Sequence, residues 1–264
     1  MEQNCTEEIK CCKYCGTPKA RKYHEYAQRY LYVAQCDCEQ KAKEEEQKQQ
    51  RQRAQAEYVK IRKECSGVLP IFANASEKDF SETDIVNSMH NVISSVITKA
   101  HTFGIVFYGN TGSGKSYAAA AIANEINNSF PLSESALKDI AAGLSPTIKA
   151  RAMMITEKKL YDRFRCFRYN EECAAPYETV ELLIIDDLGA ACGKEEDIAN
   201  LSSVIDTRYG NQLPTIITTN LSITDLKKYV GGRVYDRING SCAFIKIVTD
   251  KSRRTPLFEQ NQSK

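Results

Sequence analysis

The pattern of apolar and polar positions divides the chain near Gly67. After this residue short apolar runs alternate with stretches of helical periodicity, whereas the residues just before it are almost wholly polar. Alternating strand and helix patterns are typical of a parallel sheet covered by helices on both faces. The sequence therefore predicts an α/β domain that follows a smaller N-terminal region.

Five short apolar runs are the predicted strands of this domain, and three longer stretches between them have the period of helices. The strands are expected at 103–108, 152–155, 182–185, 215–218 and 244–248, and the helices at 116–126, 157–167 and 195–209. This order predicts a three-layer α/β fold with a five-stranded parallel sheet.

The stretch 39–63 consists almost wholly of Glu, Lys, Gln, Arg and Ala, which are strong helix formers. Glu44 and Lys48 stand at the favourable i,i+4 spacing. Because the stretch has almost no apolar stripe before Val59, we expect a polar helix that bridges two domains through solvent. A disordered charged linker is the alternative.

Composition narrows the class of protein. Of the 264 residues, 42% are hydrophobic and 27% charged, which is typical of a globular chain. The net charge is only +2, so any contact with nucleic acid must come from local patches. The apolar stretches 118–123 and 182–185 fall far short of the roughly 18 residues that a membrane span needs. Because residues 1–10 do not resemble a signal peptide either, we expect a cytoplasmic protein without membrane contact.

A phosphate-binding motif lies between the first predicted strand and an Ala-rich predicted helix. It matches the pattern GxxxxGK[ST] with Gly109, Asn110, Thr111, Gly112, Ser113, Gly114, Lys115 and Ser116. Glycines let consecutive backbone N–H groups and the helix N-terminus face the phosphates. We expect Lys115 to reach the β and γ phosphates and the Ser116 hydroxyl to hold Mg²⁺. The flanking strand and helix disfavour the alternative, an accidental glycine-rich turn.

Two carboxylates, Asp186 and Asp187, directly follow the third predicted strand. A strand buried on both faces delivers such acids to the carboxyl edge of the sheet, where the phosphate-binding loop also opens. We expect Asp186 to complete the Mg²⁺ shell and Asp187 to orient and polarise the attacking water. Taken alone, an apolar run followed by acids is equally typical of an ordinary capped strand end.

Four motifs in a fixed order resemble those of one ATPase group. They are IIDDLGA from Ile184, VIDTRYG from Val204, PTIITTN from Pro214 and GGRVYDRI from Gly231. Together they resemble the DnaC, DnaI and IstB group of AAA+ ATPases, over residues 70–254. The resemblance implies bound ATP and Mg²⁺. It also implies a reduced lid, which is usual in this group, and only 44 residues follow Asn220.

The resemblance also implies roles for individual residues. Asn220 matches sensor I, which holds the lytic water beside the γ-phosphate. Arg237 matches the arginine finger that acts in the site of a neighbouring subunit. Arg254 stands where the group has its sensor II arginine, although the Gly that often precedes the Ser is absent and Arg253 is the alternative. A surface salt bridge and an intersubunit role both remain open for two further arginines, Arg208 and Arg233.

Cysteines are concentrated at the N-terminus, where six of the eleven lie within the first 38 residues. The pattern Cx₂C followed by CxC predicts one tetrahedral zinc site with the ligands Cys12, Cys15, Cys36 and Cys38. Without metal so short a segment has too little core to fold, and the uneven spacing favours a reducing compartment over a disulfide framework. Cys11 in place of Cys12, and His24 as a ligand, are alternatives. The other cysteines are expected to be small buried side chains: Cys65, Cys166, Cys173, Cys192 and Cys242.

Basic and aromatic residues are interleaved between the two cysteine pairs. The basic residues are Lys19, Arg21, Lys22 and Arg29, and the aromatic ones are Tyr23, Tyr26, Tyr30 and Tyr32. Such a mixture can bind single strands by stacking and charge. A small tyrosine-rich core with a solvated basic rim is an equal alternative. The preferred interpretation is a surface that grips a helicase, as in the loaders that the chain resembles.

The sequence thus predicts three segments: 1–40, a zinc-binding domain that recruits a partner; 41–66, a polar linker helix; and 67–264, an AAA+ ATPase domain. The resemblance implies an ATPase that assembles with like subunits or with a replicative DNA helicase hexamer. Its function would be to place that helicase on single-stranded DNA. The alternatives are a transposase helper of the IstB type, which the zinc site disfavours, and an adapter that binds nucleotide without hydrolysing it.

Overall fold

The computed structural model describes residues 11–33, 36–99, 103–129, 150–167, 171–191 and 193–249. The described chain forms two compact units, one that ends at Glu57 and one that begins at Tyr58. Two arginines considered for sensor II, Arg253 and Arg254, lie outside the described residues, as does Cys192.

The first unit contains an antiparallel hairpin and most of a long helix. Strand β1 is Ala20–His24 and strand β2 is Arg29–Val33. They pair with Tyr23 opposite Tyr30, and an isolated bridge joins Cys11 to Pro18. Helix α1, Cys38–Cys65, contains the helix predicted over 39–63, so the disordered-linker alternative is wrong.

The C-terminal end of α1 belongs to the second unit. Within that unit Arg62 is 3% exposed, donates to the carbonyl of Asn127 at 3.0 Å and bonds the hydroxyl of Tyr58. Just past the helix, the carbonyl of Ser66 accepts from the amide of Met154 at 2.7 Å. The division between the units therefore falls inside the polar helix, ahead of the predicted domain start at residue 67.

A parallel sheet of five strands forms the centre of the second unit. The strands are β3 Gly104–Tyr108, β4 Ala152–Thr156, β5 Leu182–Leu188, β6 Thr215–Thr219 and β7 Cys242–Lys246. Their order across the sheet is β4-β5-β6-β3-β7, and all neighbours are parallel. This confirms the predicted sheet. The last strand begins two residues earlier than expected, because Cys242 pairs with Gly104 as soon as the preceding helix ends.

Helices cover both faces of this sheet. Besides two short 3₁₀ turns, Pro70–Phe72 and Glu77–Asp79, the unit contains α2 Thr83–Thr98, α3 Lys115–Asn128, α4 Glu157–Phe167, α5 Glu171–Thr179, α6 Glu195–Gly210 and α7 Ile223–Ser241. The three predicted helices are α3, α4 and α6. Among the residues described after β6, the elements are α7 and β7, so this part of the chain has no separate helical lid domain.

Alternate side chains of each strand enter different cores. Ile184 packs in the core that contains α2 and α3, and Ile185 packs in the core on the other face, with α4 to α7. A strand buried on both faces needs a continuous apolar run, which is what residues 182–185 provide. The predicted three-layer fold is confirmed.

Two of the cysteines expected to be buried are exposed. Cys65 ends α1 and Cys166 lies in the last turn of α4, and both are solvent-exposed. The prediction is wrong for these residues because each stands on the polar side of a helix end. Cys242 is partly buried, with its thiol 3.6 Å from the carbonyl oxygen of Thr215. The side chain of Cys173 lies outside the described part of the chain.

Arg208, in the last turn of α6, is fully buried. Its guanidinium donates to the hydroxyl of Thr215 (2.9 Å) and to three carbonyl oxygens, those of Tyr177 (2.9 Å), Val180 (2.8 Å) and Pro214 (2.5 Å). Burial lowers the pKa of this group to about 9. Both interpretations offered for Arg208 are wrong, since it joins the ends of α5 and α6 to β6 inside the fold. Arg233, by contrast, is 75% exposed and pairs with Asp206 at 2.7 Å.

Arg208→Met should lower the free energy of unfolding by about 3 kcal/mol or more, because several buried carbonyl oxygens lose their donor. Urea unfolding of the purified protein is the measurement. The matched control is Arg233→Ala, which removes an exposed ion pair and should cost about 1 kcal/mol at most. Equal losses for the two variants would contradict the structural role of Arg208.

Candidate nucleotide and zinc sites

The phosphate-binding loop connects β3 to α3. Gly109 has a φ of 142°, and a Cβ there would lie 2.0 Å from the carbonyl oxygen of Ile247, so only glycine fits. Gly114 caps α3 in the left-handed region with a φ of 100°. Between them, the side chain of Asn110 bonds the backbone of Thr249 through both its amide nitrogen (2.7 Å) and its oxygen (3.3 Å). The loop is thus held against the chain that follows β7.

Lys115 occupies the inside of this loop. It is 5% exposed, and its Nζ donates to the carbonyl oxygens of Gly109 (3.1 Å) and Asn110 (2.7 Å). Ser113, which is also buried, lies with its Oγ 3.4 Å from the same nitrogen. A cation surrounded by backbone amides at a helix N-terminus forms a site for phosphate groups. The residues of the predicted motif therefore lie together.

Asp186 is a buried carboxylate at the carboxyl edge of the sheet. It is 3% exposed, and the Thr218 hydroxyl donates to its Oδ1 at 2.6 Å. Burial raises the pKa of Asp186, while hydrogen bonds from Thr218 and Ser116 act in the opposite direction. The contact brings together Ser116 and Asp186, the two residues predicted to hold Mg²⁺. A hydroxyl and a carboxylate beside a phosphate site are oxygen ligands of the kind that Mg²⁺ takes, so the residues fit this ion.

Asp187 occupies an unusual backbone position next to Asp186. Its φ is 56°, and the register between β5 and β6 shifts between Ile185 and Leu188. The amide of Asp187 donates to the Thr218 oxygen at 2.9 Å. Non-glycine residues are uncommon in this region, although Asp tolerates it better than most, and those found there cluster at functional sites. The two acids differ in backbone conformation and in burial, since Asp186 is buried and Asp187 is only partly so, which allows them different roles.

Asn220 follows β6 directly and is exposed. Strand β6 lies between β5 and β3 in the sheet. Because the strands are parallel, the end of β6 opens between the phosphate-binding loop and the acids. The structure therefore brings Asn220 to the edge where the other predicted nucleotide-site residues lie.

Arg237 lies toward the other edge of the sheet. It stands near the end of α7, and β7 starts immediately afterwards, parallel to β3. A residue just ahead of a parallel strand is at the amino edge, whereas the phosphate-binding loop opens at the carboxyl edge. The guanidinium of Arg237 pairs with Asp206 at 3.4 Å and lies 5.2 Å from the ring centre of Tyr209. The structure does not bring Arg237 to the phosphate-binding loop of its own chain.

Four thiols of the first unit form a compact cluster. The sulfurs of Cys12, Cys15, Cys36 and Cys38 all lie within 4.8 Å of one another, and none of these cysteines is in a disulfide. Hydrogen bonds between the backbones of Cys12 and Thr17 (2.8 Å) and of Gly16 and Cys12 (2.9 Å) form the turn that brings the first two thiols together. Cys11 is exposed and lies outside the cluster, and His24 accepts a backbone hydrogen bond from Ala27 instead (3.2 Å). The geometry favours the predicted ligand set over both alternatives.

The cluster fits a zinc ion in size and chemistry. Four sulfurs bound tetrahedrally at about 2.3 Å from zinc are about 3.8 Å apart. Here the sulfurs of Cys15 and Cys36 are 3.4 Å apart, and no two of the four sulfurs are more than 4.8 Å apart. Hydrogen bonds from Thr17 lower the pKa of Cys15 to about 6. The hydrogen bond with Cys15 and burial raise the pKa of Cys38, and the nearby thiols of Cys15 and Cys12 add to the same effect because thiolates repel one another.

Four tyrosines of the first unit face solvent. Tyr14, Tyr23, Tyr26 and Tyr30 are 53%, 54%, 98% and 56% exposed, and the rings of Tyr23 and Tyr30 meet edge to face at 5.2 Å. Cys12, in contrast, is 3% exposed. The alternative of a tyrosine-rich core is therefore wrong for Tyr23, Tyr26 and Tyr30, and the side chain of Tyr32 lies outside the described residues.

Comparison with known proteins agrees with this arrangement. Residues 34–256 match the family described as IstB-like ATP binding protein. The chain belongs to this family. The replicative helicase loader DnaC of Escherichia coli (strain K12) is 27% identical over 179 residues, which make up 66% of this chain and 66% of the relative. The chain thus spans just under two thirds of that relative's length.

Solved structures agree on the fold of this IstB-like chain. The crystal structure of DnaI has a TM-score of 0.52 at 21% identity and covers 70% of this chain and 94% of that chain. The crystal structure of the DnaC helicase loader has a TM-score of 0.51 at 20% identity and covers 68% of this chain and 100% of that chain. The likeness shows the AAA+ P-loop fold. No helix in the described part of this IstB-like protein is long and apolar enough to cross a membrane.

Sequence reasoning missed two residues of the IstB-like site. The hydroxyl of Thr218 contacts both the side chain of Asp186 and the backbone amide of Asp187. In the sequence, only its position as a hydroxyl residue near the end of a predicted strand pointed to a role in the site. Glu157 is buried beneath the loop that follows Asp187. The sequence shows it only as an acid at the first position of a predicted helix, where solvent-exposed acids are common, so its role was not visible there.

Lys115→Ala should abolish nucleotide binding, because the loop loses the cation that offsets phosphate charge. Asp187→Asn should retain binding and lose turnover, since the amide cannot accept a proton from water. Nucleotide affinity and ATP hydrolysis, each measured on both variants, separate the two defects. Parental hydrolysis in Asp187→Asn would show that Asp187 is not the water-polarising group.

Proposed function

We propose that the protein is a cytoplasmic ATPase that loads a replicative DNA helicase onto single-stranded DNA, using ATP binding and hydrolysis as a switch. The observation that carries the proposal is the presence, in one chain, of Lys115, Ser116 and Asp186 at a phosphate-binding loop and of a separate thiol cluster. A relative named as a replicative helicase loader supports the helicase as the partner. The uneven use of cysteine supports a reducing compartment.

Hydrolysis follows from the placement of the groups at the carboxyl edge. Lys115 and the backbone amides of residues 109–116 bind the phosphates, and Ser116 with Asp186 would hold Mg²⁺. The ion would supply charge neutralisation at the β and γ phosphates. Asp187 orients the attacking water and accepts its proton, and Asn220 donates to that water. Arg254 is proposed as the sensor II residue that contacts the nucleotide.

Arg237 supports self-association or co-assembly through the ATPase domain. The amino-edge position keeps it away from its own phosphate-binding loop, so a second subunit must provide the site in which it acts. An arginine supplied in this way contributes about 10³ to 10⁵ in rate to phosphoryl transfer. Its exposure of 35% leaves it accessible at the surface of α7.

The first unit is proposed to recruit the helicase. Tyr and Arg side chains dominate binding energy at many protein interfaces. The hairpin presents three tyrosines that are more than half exposed, Tyr23, Tyr26 and Tyr30, beside exposed Lys22 and Arg29. Zinc held by Cys12, Cys15, Cys36 and Cys38 would keep this surface folded, since a segment of this size has little apolar core.

Affinity capture tests the function directly. The tagged protein with ATP should retain the replicative helicase. The Lys115→Ala variant, which should not bind nucleotide, is the control. In a purified system, the protein should increase the amount of helicase bound to a single-stranded DNA circle. Retention of a transposase in place of the helicase would favour the transposase-helper alternative. Absence of ATP turnover by the assembled protein would favour a nucleotide-binding adapter.

Arg237→Ala should leave ATP affinity nearly intact and depress hydrolysis, because the finger acts in another subunit. An equimolar mixture of Arg237→Ala and Lys115→Ala, each inactive alone, should regain part of the parental activity by pairing an intact site with an intact finger. Arg233→Ala, also on α7 and paired with the same Asp206, is the matched control and should hydrolyse ATP normally. Failure of the mixture to recover despite co-assembly would exclude action between subunits.

Cys15→Ser should reduce zinc content and helicase capture while nucleotide binding persists. A truncation that begins at Tyr58 should behave in the same way, because the second unit has its own core and keeps the bond from Arg62 to Asn127. Metal analysis under reducing conditions should find one zinc per parental chain. The recruitment role would be overturned by full helicase capture in the truncated protein, and the metal assignment by protein without zinc.

A further inference from the structure

A buried carboxylate at the start of α4 has no role in the hydrolytic scheme above. Glu157 is 1% exposed. Its Oε2 accepts from the backbone amides of Gly189 (3.0 Å) and Ala191 (2.9 Å). Its Oε1 lies within hydrogen-bond distance of the hydroxyls of Tyr161 (2.9 Å) and Tyr229 (2.7 Å). Four polar partners around one buried side chain indicate a group that holds its surroundings in a single arrangement.

Two of these partners belong to the turn that follows Asp187. The amide of Ala190 donates to the carbonyl of Asp187 at 3.1 Å, which closes the turn. Asp187 itself has a φ of 56°, which is uncommon for a residue other than glycine, so contacts around the turn favour this conformation over others. Because Glu157 binds the amides of the far side of the same turn, it fixes the backbone from which the Asp187 side chain projects.

Tyr229 joins this turn to a second element. Its hydroxyl has one proton and lies near two acceptors, Oε1 of Glu157 (2.7 Å) and the carbonyl oxygen of Ala191 (2.6 Å). Burial raises the pKa of Tyr229 to about 12, so the hydroxyl remains a donor at neutral pH. Tyr229 lies on the first of two helical segments that meet at a kink at Gly231 (φ 80°, ψ 159°), and Arg237 lies on the second. The turn after Asp187 is therefore bonded to the part of α7 that precedes the kink, and the proposed finger lies on the part that follows it.

We propose that Glu157 and Tyr229 are positioning residues for ATP hydrolysis. Glu157 holds the turn in the conformation that directs Asp187 toward the attacking water. Tyr229 bonds the same turn to α7, so that a shift of the turn in one subunit reaches the helix that serves the neighbouring site. The inference rests on the proposed ATPase function.

The chain offers a matched pair of variants. Tyr161→Phe and Tyr229→Phe each remove one hydroxyl from the same carboxylate oxygen. Tyr161, however, lies on α4 together with Glu157, whereas Tyr229 also bonds the turn and belongs to α7. Both variants should lose similar thermal stability. Tyr229→Phe should lower kcat about 10-fold with the KM for ATP within about twofold, and Tyr161→Phe should leave both within about twofold.

Substitution of the carboxylate adds a graded test. Glu157→Ala removes both bonds from residue 157 to the amides of the turn and should lower kcat about 100-fold with nucleotide affinity retained. Glu157→Gln keeps an acceptor for the two backbone amides and should recover part of that loss. If Glu157 had only a structural role, both variants would lose stability while kcat per folded molecule stayed unchanged.

Hydrogen exchange provides a readout that does not depend on turnover. Binding of a non-hydrolysable ATP analogue to the parental protein should change amide exchange in residues 187–191 and in α7. In Tyr229→Phe the change in the turn should persist and the change in α7 should be lost. If the parental protein does not hydrolyse ATP, the proposed function fails. The exchange measurement still tests whether Tyr229 connects the turn after Asp187 to α7. The inference would be overturned by parental kcat in Tyr229→Phe or by equal losses of kcat in both Phe variants. It would also be overturned if the exchange response of α7 in Tyr229→Phe equalled that of the parental protein.

Discussion

The burial of Asp186 at the end of a strand covered on both faces is the constraint on which the rest of the nucleotide site depends. An ionised carboxylate removed from water is costly unless donors compensate it. The Thr218 hydroxyl provides one such donor at 2.6 Å, and Ser116 provides another. These residues come from β6 and α3, so the compensation is available only when β5, β6 and the phosphate-binding loop are all in place. The same Thr218 oxygen accepts from the amide of Asp187, and one side chain thereby orders both acids.

Much of the fold and the phosphate-binding loop was predictable because their signals are local. An apolar run of four or five residues is visible without knowledge of its partners, and the glycines of the loop occupy fixed positions relative to Lys115. The contacts of Glu157 could not be predicted in the same way. Its bond to Tyr229 joins residues 72 positions apart, and nothing in the local sequence of either residue indicates the other.

The environments of two arginines were equally impossible to predict from local sequence. Arg208 and Arg233 both stand in motifs that resemble a known ATPase group, yet one is buried among carbonyl oxygens and the other is 75% exposed. The difference arises from which side of a helix faces the sheet, and that depends on tertiary packing. In the first unit the sequence did not show whether the tyrosines are buried or exposed, because a thiol cluster that binds a metal can stabilise a small fold without an aromatic core.

The location of Arg237 at the amino edge has a consequence for how the ATPase responds to its own concentration. If the finger serves a neighbour, each chain contributes halves of two different catalytic centres and completes neither alone. Turnover per chain should then rise steeply as chains assemble and fall toward zero on dilution, by mass action alone. A dispersed population would bind nucleotide without consuming it, and a partner that gathers several copies would act as the trigger for hydrolysis without touching the nucleotide.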